Sequence, residues 1–136
     1  NITSKIMESW RGIAFEETCW QHITQLKHAL GINGIKSKIS SWSIKGNDIT
    51  NGAQIDLLII RDDNVINLCE IKFSGDAYQI DKDEELKLRR RIATLKEHIS
   101  PRQSIHLTMI TTYGITNGKH SDIVQKQISM DDLFAV

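Results

Sequence analysis

Asp56, separated by thirteen residues from Glu70-Ile71-Lys72, is the part of this sequence best suited to chemistry. Each charge interrupts an apolar run: Ile55-Asp56-Leu57-Leu58-Ile59-Ile60 and Val65-Ile66-Asn67-Leu68-Cys69-Glu70-Ile71-Lys72-Phe73. Charge inside such runs is costly to bury unless a partner such as a metal ion compensates it. Two carboxylates on adjacent strands are hard oxygen ligands suited to Mg²⁺ or Mn²⁺, and Mg²⁺ keeps several waters and uses only one or two carboxylates. A metal held there can polarise a phosphodiester, lower the pKa of attacking water and orient the leaving group. A lysine beside it can position the nucleophile or offset charge developing on phosphate oxygens. The alternative is a solvated Glu-Lys pair and a strand-end Asp.

The elements that must position these residues are legible from periodicity. Both runs are rich in β-branched residues, and Asp62-Asp63-Asn64 separates them, which predicts a hairpin. A three-residue loop with Asn64 in the left-handed region pairs Arg61 with Val65 and sets Asp56 opposite Glu70. Alternation then puts Glu70 and Lys72 on one face and Cys69, Ile71 and Phe73 on the other. A one-residue slip would turn Asp56 away. Upstream, Phe15, Cys19, Ile23, Leu26 and Leu30 form one stripe of a helix expected over Ser9 to Leu30, with Gly31 as its C-terminal cap. Glu16 lies about 60° from the centre of that stripe and Glu17 about 160° away. Glu16 therefore sits at the buried edge, either as a rim carboxylate or as a fourth member of the set Glu16, Asp56, Glu70 and Lys72. Glu17 faces solvent.

The remaining pattern is a strand over Ile35 to Ile44 carrying Trp42, then turns at Gly46-Asn47-Asp48 and Asn51-Gly52. Asp81 and Glu84 resemble a capping pair for a helix whose apolar face is Leu88, Ile92, Leu95 and Ile99, ending before Pro101. A strand through Ile105, Leu107 and Met109, a last strand over Ile123 to Ile128 and a helical turn capped near Ser129 complete the order. Near-continuous apolar strands imply burial on both faces. The prediction is a single α/β domain with a central mixed sheet flanked by helices.

Composition bounds the partners. The chain has 136 residues, the size of one ordinary domain. Lys plus Arg and Asp plus Glu both number 17, which excludes a strongly basic nucleic-acid binder and leaves any such contact to local patches. The run Lys87-Leu88-Arg89-Arg90-Arg91 reads as a solvated helix face, or as a patch for a phosphate backbone or an acidic partner surface. Cys19 and Cys69 lack metal-site spacing and read as buried thiols. Cys19 and His22 share a helical side, but no second pair completes a zinc site. His28, His98, His106 and His120 form no set. No apolar run approaches the roughly 20 residues of a membrane span, and no signal-peptide pattern opens the chain. The expectation is a piece of a larger cytoplasmic protein.

These residues resemble the PD-(D/E)XK nuclease superfamily, whose fold is restriction-endonuclease-like. Asp56…Glu70-Ile71-Lys72 matches its motif, Gly12-x-x-Phe15-Glu16 matches the glutamate of its first helix, and the element order matches its α-β-β-β-α-β core. Ile55 stands where the motif name has proline. More narrowly, Gly52-Ala53-Gln54-Ile55-Asp56-Leu57-Leu58-Ile59, Ile66-Asn67-Leu68-Cys69-Glu70-Ile71-Lys72-Phe73-Ser74, Thr111-Thr112-Tyr113-Gly114 and Asp131-Asp132-Leu133-Phe134 are similar to the C-terminal domain of bacterial AAA+-type ATPases. The resemblance implies a three-layer sandwich over residues 1–136. It implies Mg²⁺ (or Mn²⁺) held by Asp56, Glu70 and the backbone carbonyl of Ile71, with Lys72 and Glu16 as the other catalytic residues. It further implies a nucleic-acid substrate and an ATP-binding N-terminal module in the same polypeptide. The chain has no Gly-x-x-x-x-Gly-Lys-Ser/Thr phosphate loop, so ATP hydrolysis is not expected of this piece. The superfamily also contains catalytically silent members, which makes a domain that binds a partner or nucleic acid, or regulates the ATPase, the second expectation.

Overall fold

Long apolar stripes and β-rich runs resolve into helices on both sides of one sheet in the computed structural model, which describes residues 1–44 and 53–135. The turns expected at Gly46-Asn47-Asp48 and Asn51-Gly52 lie outside the described residues. Helix α1 spans Ile2–Gln21 and α2 spans Ile23–Ala29. Strand β1 is Ser37–Ile44, β2 Ala53–Arg61 and β3 Val65–Lys72. Helix α3 is Lys82–Lys96, strand β4 Ser104–Thr111, strand β5 Lys126–Ser129 and helix α4 Met130–Leu133. The strands lie in the order β1-β2-β3-β4-β5. The first three are antiparallel and the last two run parallel to β3, so the sheet is mixed.

Two apolar layers sandwich the sheet. Phe15, Cys19 and Leu26 from α1 and α2, with Leu133 of α4, cover Leu57, Ile59, Cys69, Ile71, Ile110 and Ile128. Leu88 and Leu95 of α3 cover Leu58, Ile66, Leu68, Leu107 and Met109. Each fully buried Leu or Ile contributes about 1.5–3 kcal/mol relative to exposure. Burial on both faces explains the nearly uninterrupted apolar strands. Both cysteines are free and buried, as their spacing suggested.

The single first helix expected from Ser9 to Leu30 is instead two helices that begin earlier and break at His22. Asn1 caps α1 by accepting a 2.8 Å hydrogen bond from the Ser4 N–H. At His22 the ring Nδ1 lies 2.7 Å from the Thr18 carbonyl. The backbone N–H of His22 turns to the Cys19 carbonyl at 3.1 Å, one residue short of the α-helical partner. That side-chain contact gives the break a local cause. Gly31 does end α2, at φ 72, and the Ile32 N–H reaches the Lys27 carbonyl at 2.9 Å. The first half of α1 leaves Ile2, Ile6, Met7, Trp10 and Ile13 exposed.

Two further expectations shift. The last strand begins at Lys126, and Ile123 and Val124 pack on the α3 side of the core from the preceding turn. Asp81 caps α3 as expected, accepting from the Glu84 N–H at 2.8 Å. The Glu84 carboxylate does not complete a capping box, because Tyr78 and Lys72 engage it instead.

Candidate functional site

The hairpin sets the register on which the site depends. Asn64 has φ 64, the left-handed conformation the three-residue loop requires. The pairs Leu57↔Cys69, Leu58↔Leu68, Ile59↔Asn67 and Ile60↔Ile66 follow one register. Carried one residue further, that register puts Asp56 opposite Glu70. There the backbone ladder gives way to a side chain. Asp56 Oδ2 accepts a hydrogen bond from the Ile71 N–H at 3.2 Å. In an extended strand the N–H and C=O of one residue point the same way, so the Ile71 carbonyl is also directed to the β2 side.

A β-bulge on the other edge of β2 marks the same place. Ser40 pairs with Leu58 but Trp42 with Ile55, which leaves Asp56 and Leu57 opposite Ser41 alone. The bulge breaks alternation, so Ile55 joins Leu58 on the α3 side while Leu57 stays with Ile59 on the other. Bulges re-aim side chains, and this one falls at the first carboxylate of the site. Sequence reasoning missed it, because an apolar run with no alternation cannot reveal a break in alternation.

Glu70 is 1% exposed. Its neighbour comes from the Lys87-Leu88-Arg89-Arg90-Arg91 run: Arg91 of α3 places Nη1 2.8 Å from Glu70 Oε1. The contact is an ion pair without hydrogen-bond angles, and among the described residues Oε1 accepts no hydrogen bond. Burial pushes the Glu70 carboxyl up to about 7, with Arg91 pulling it down and the Asp56 charge pushing it further up. Lys72 is on the expected strand, but its Nζ lies 3.7 Å from Glu84 Oε1. The Tyr78 hydroxyl donates to the other oxygen of Glu84. Burial and that bond both push the Tyr78 phenol up. Arg91, Glu84 and Tyr78 thus join Glu70 and Lys72 in one charged cluster over the α3 face.

Glu16 is placed differently. It lies with Asp56, Ser41, Trp42, Ser43, Gln54 and Ile55 along a groove of about 250 Å³. Its carboxyl is pushed up by burial and by the Asp56 charge. Glu17 is exposed, as the helical wheel requires. Asp56 is therefore shared between the Glu16 groove and the Glu70 pair. Among the described residues, no three His, Cys, Asp or Glu side chains converge as a metal cage. Glu16, Asp56 and Glu70 accordingly do not form one ligand set. What remains is two carboxylates, one with an orphaned buried oxygen, and a backbone carbonyl directed between the strands. That donor set fits a hydrated divalent cation of the Mg²⁺ type, which needs few protein ligands.

The other singled-out residues are structural in their observed contacts. Thr112 Oγ1 accepts from the Ser74 N–H at 3.1 Å, and the Gly114 carbonyl accepts from the Tyr78 N–H at 2.8 Å. These bonds tie the segment after β3 to the segment after β4. His22 packs edge-on against Phe134, and Cys19 is free and buried. His120 contacts Glu85, and His98 packs on Trp42.

No protein-family model matches the chain, and no curated protein matches it. Among solved structures it is similar to the crystal structure of a protein of unknown function, AF1548, with a TM-score of 0.55 at 15% identity. The likeness covers 88% of this chain and 64% of that one. What the two share is the α/β fold. No helix among the described residues is long and apolar enough to cross a membrane.

Proposed function

We propose that this chain is a restriction-endonuclease-like, PD-(D/E)XK-type domain that hydrolyses phosphodiester bonds of nucleic acid with a bound Mg²⁺ or Mn²⁺. The observation that carries the reading is the end of the β2–β3 ladder. There the register runs on toward Asp56 and Glu70, the Asp56 charge acts on the Glu70 carboxyl, and Asp56 has taken over the Ile71 N–H. Glu70 Oε1 is buried and held by an ion pair without good hydrogen-bond geometry, which supports its use as a ligand. When bound, the metal would polarise the phosphodiester and activate water. Asp56, Glu70 and the Ile71 carbonyl would hold it. Lys72, leaving Glu84, would reach the attacking water or the phosphate oxygens on the same face. Glu16 would shape the field at Asp56 from the groove side without ligating.

By the same reading the domain is cytoplasmic and belongs to a bacterial AAA+-type ATPase. The nucleotide-binding module would lie outside these 136 residues. The test is a calorimetric titration of Mn²⁺, with Asp56→Asn as control, followed by cleavage assays with the ATPase present. Saturable binding lost in Asp56→Asn supports the reading. Cleavage that survives Asp56→Ala and Lys72→Ala together would overturn it.

A second reading is a silent domain of the same fold that binds a partner or nucleic acid or regulates the ATPase. The observation favouring it is that Glu70 and Lys72 each already have a protein partner, Arg91 and Glu84. Absence of Mn²⁺ binding at millimolar metal would select this reading.

A further inference from the structure

We propose that Arg91 is the resident counter-cation of the site, occupying at Glu70 the place a divalent metal takes and being exchanged for it. The inference rests on the metal-site reading above. A carboxylate removed from water must be compensated, and here a single guanidinium does so: Nη1 lies 2.8 Å from Oε1 of a residue that is 1% exposed. Lys72 pairs with Glu84 and acts on Glu70 only through its charge, so among the described residues Arg91 is the cation in contact with Glu70.

The contact also has the form of a replaceable partner. Its angles fall short of a good hydrogen bond, so Arg91 holds Oε1 by charge more than by a directed bond. The Arg91 side chain is 25% exposed while that of Glu70 is 2% exposed, so the guanidinium has solvent to retreat into and the carboxylate does not. Arginine remains charged at every accessible pH. A divalent ion arriving between Asp56 and Glu70 therefore meets a fixed positive charge on one of its ligands. Binding and ion pairing compete for one oxygen, and metal affinity carries the cost of that exchange.

The experiment is Mn²⁺ calorimetry on the wild-type chain, Arg91→Ala, Arg91→Gln and the double variant Arg91→Ala with Glu70→Gln. Removing the competitor is expected to tighten Mn²⁺ binding by roughly tenfold or more in both single variants, the usual scale of coupling between two sites. The double variant is expected to lose binding. A second measurement covers the case in which the single variants fail to fold. The Arg91 Nε–Hε resonance of wild type is expected to shift with Mg²⁺ and to saturate with the same Kd as metal binding. If wild type binds Mn²⁺ through Asp56 but the Arg91 variants bind no tighter, exchange is overturned and the metal site stands. A stationary Arg91 resonance at saturating Mg²⁺ has the same meaning. If no variant binds metal, the exchange and the metal-site reading fall together.

Discussion

A carboxylate as buried as Glu70 can be neutralised in three ways: by a proton, by Arg91 or by a metal. The first has a direct thermodynamic signature. Its folded pKa of about 7 stands above the unfolded value of 4.5, so between those pH values the folded state holds the proton more tightly. The stabilisation is complete below pH 4.5 and is lost as pH rises through 7. Glu70→Gln removes the ionisation while keeping the shape. The variant is expected to gain on wild type by about 3 kcal/mol between pH 4 and pH 8 in metal-free buffer. Urea denaturation across that range measures the difference, and parallel stability curves would refute it. Asp56 and Glu70 were legible in the sequence because charge stands out inside an apolar strand. Arg91 was not, since Arg89 and Arg90 beside it are solvent-facing and made the run look uniform.

At the scale of elements, α3 carries the information the charge run concealed. Glu84, Leu88, Arg91 and Leu95 recur at i, i+4, i+7 and i+11, so Arg91 lies on the buried stripe. The phase of the helix thus distinguishes Arg91 from Arg89, which pairs with Glu85 on the outer side. The helix is anchored at its start by Asp81, whose carboxylate satisfies the Glu84 N–H. Asp81→Ala is expected to cost about 1 kcal/mol, read as a lowered urea midpoint with an unchanged slope. An unaltered midpoint would mean that tertiary packing alone fixes the first turn. Two other features of the elements had no sequence signal. The break at His22 leaves the spacing of Cys19, Ile23 and Leu26 undisturbed, and the bulge at Asp56 lies among apolar neighbours on both sides.

For the whole molecule, the order of elements, the hairpin register and the two-sided core followed from apolar periodicity and turn chemistry, which local residues determine. The parallel pairing of β4 and β5 and the meeting of α3 with β3 are long-range, and the sequence pattern carries them only through burial. Those long-range contacts bring Arg91 to Glu70, and under the proposed function they would couple metal binding to stability. Ligand carboxylates must be deprotonated to hold a metal, so on the proposed function metal-linked stabilisation would grow as pH rises through 7. The Glu70 contribution without metal runs in the opposite direction. At a metal concentration a hundred times the Kd, the gain is about 2.7 kcal/mol, or roughly 10 °C in Tm for a domain of this size. Melting curves at pH 8 with and without Mg²⁺ are therefore expected to separate by that order, while those at pH 5.5 draw together. Asp56→Asn should abolish the separation. Equal shifts at both pH values, or a shift that persists in Asp56→Asn, would place the metal elsewhere on the protein and leave Glu70 and Arg91 as a structural ion pair.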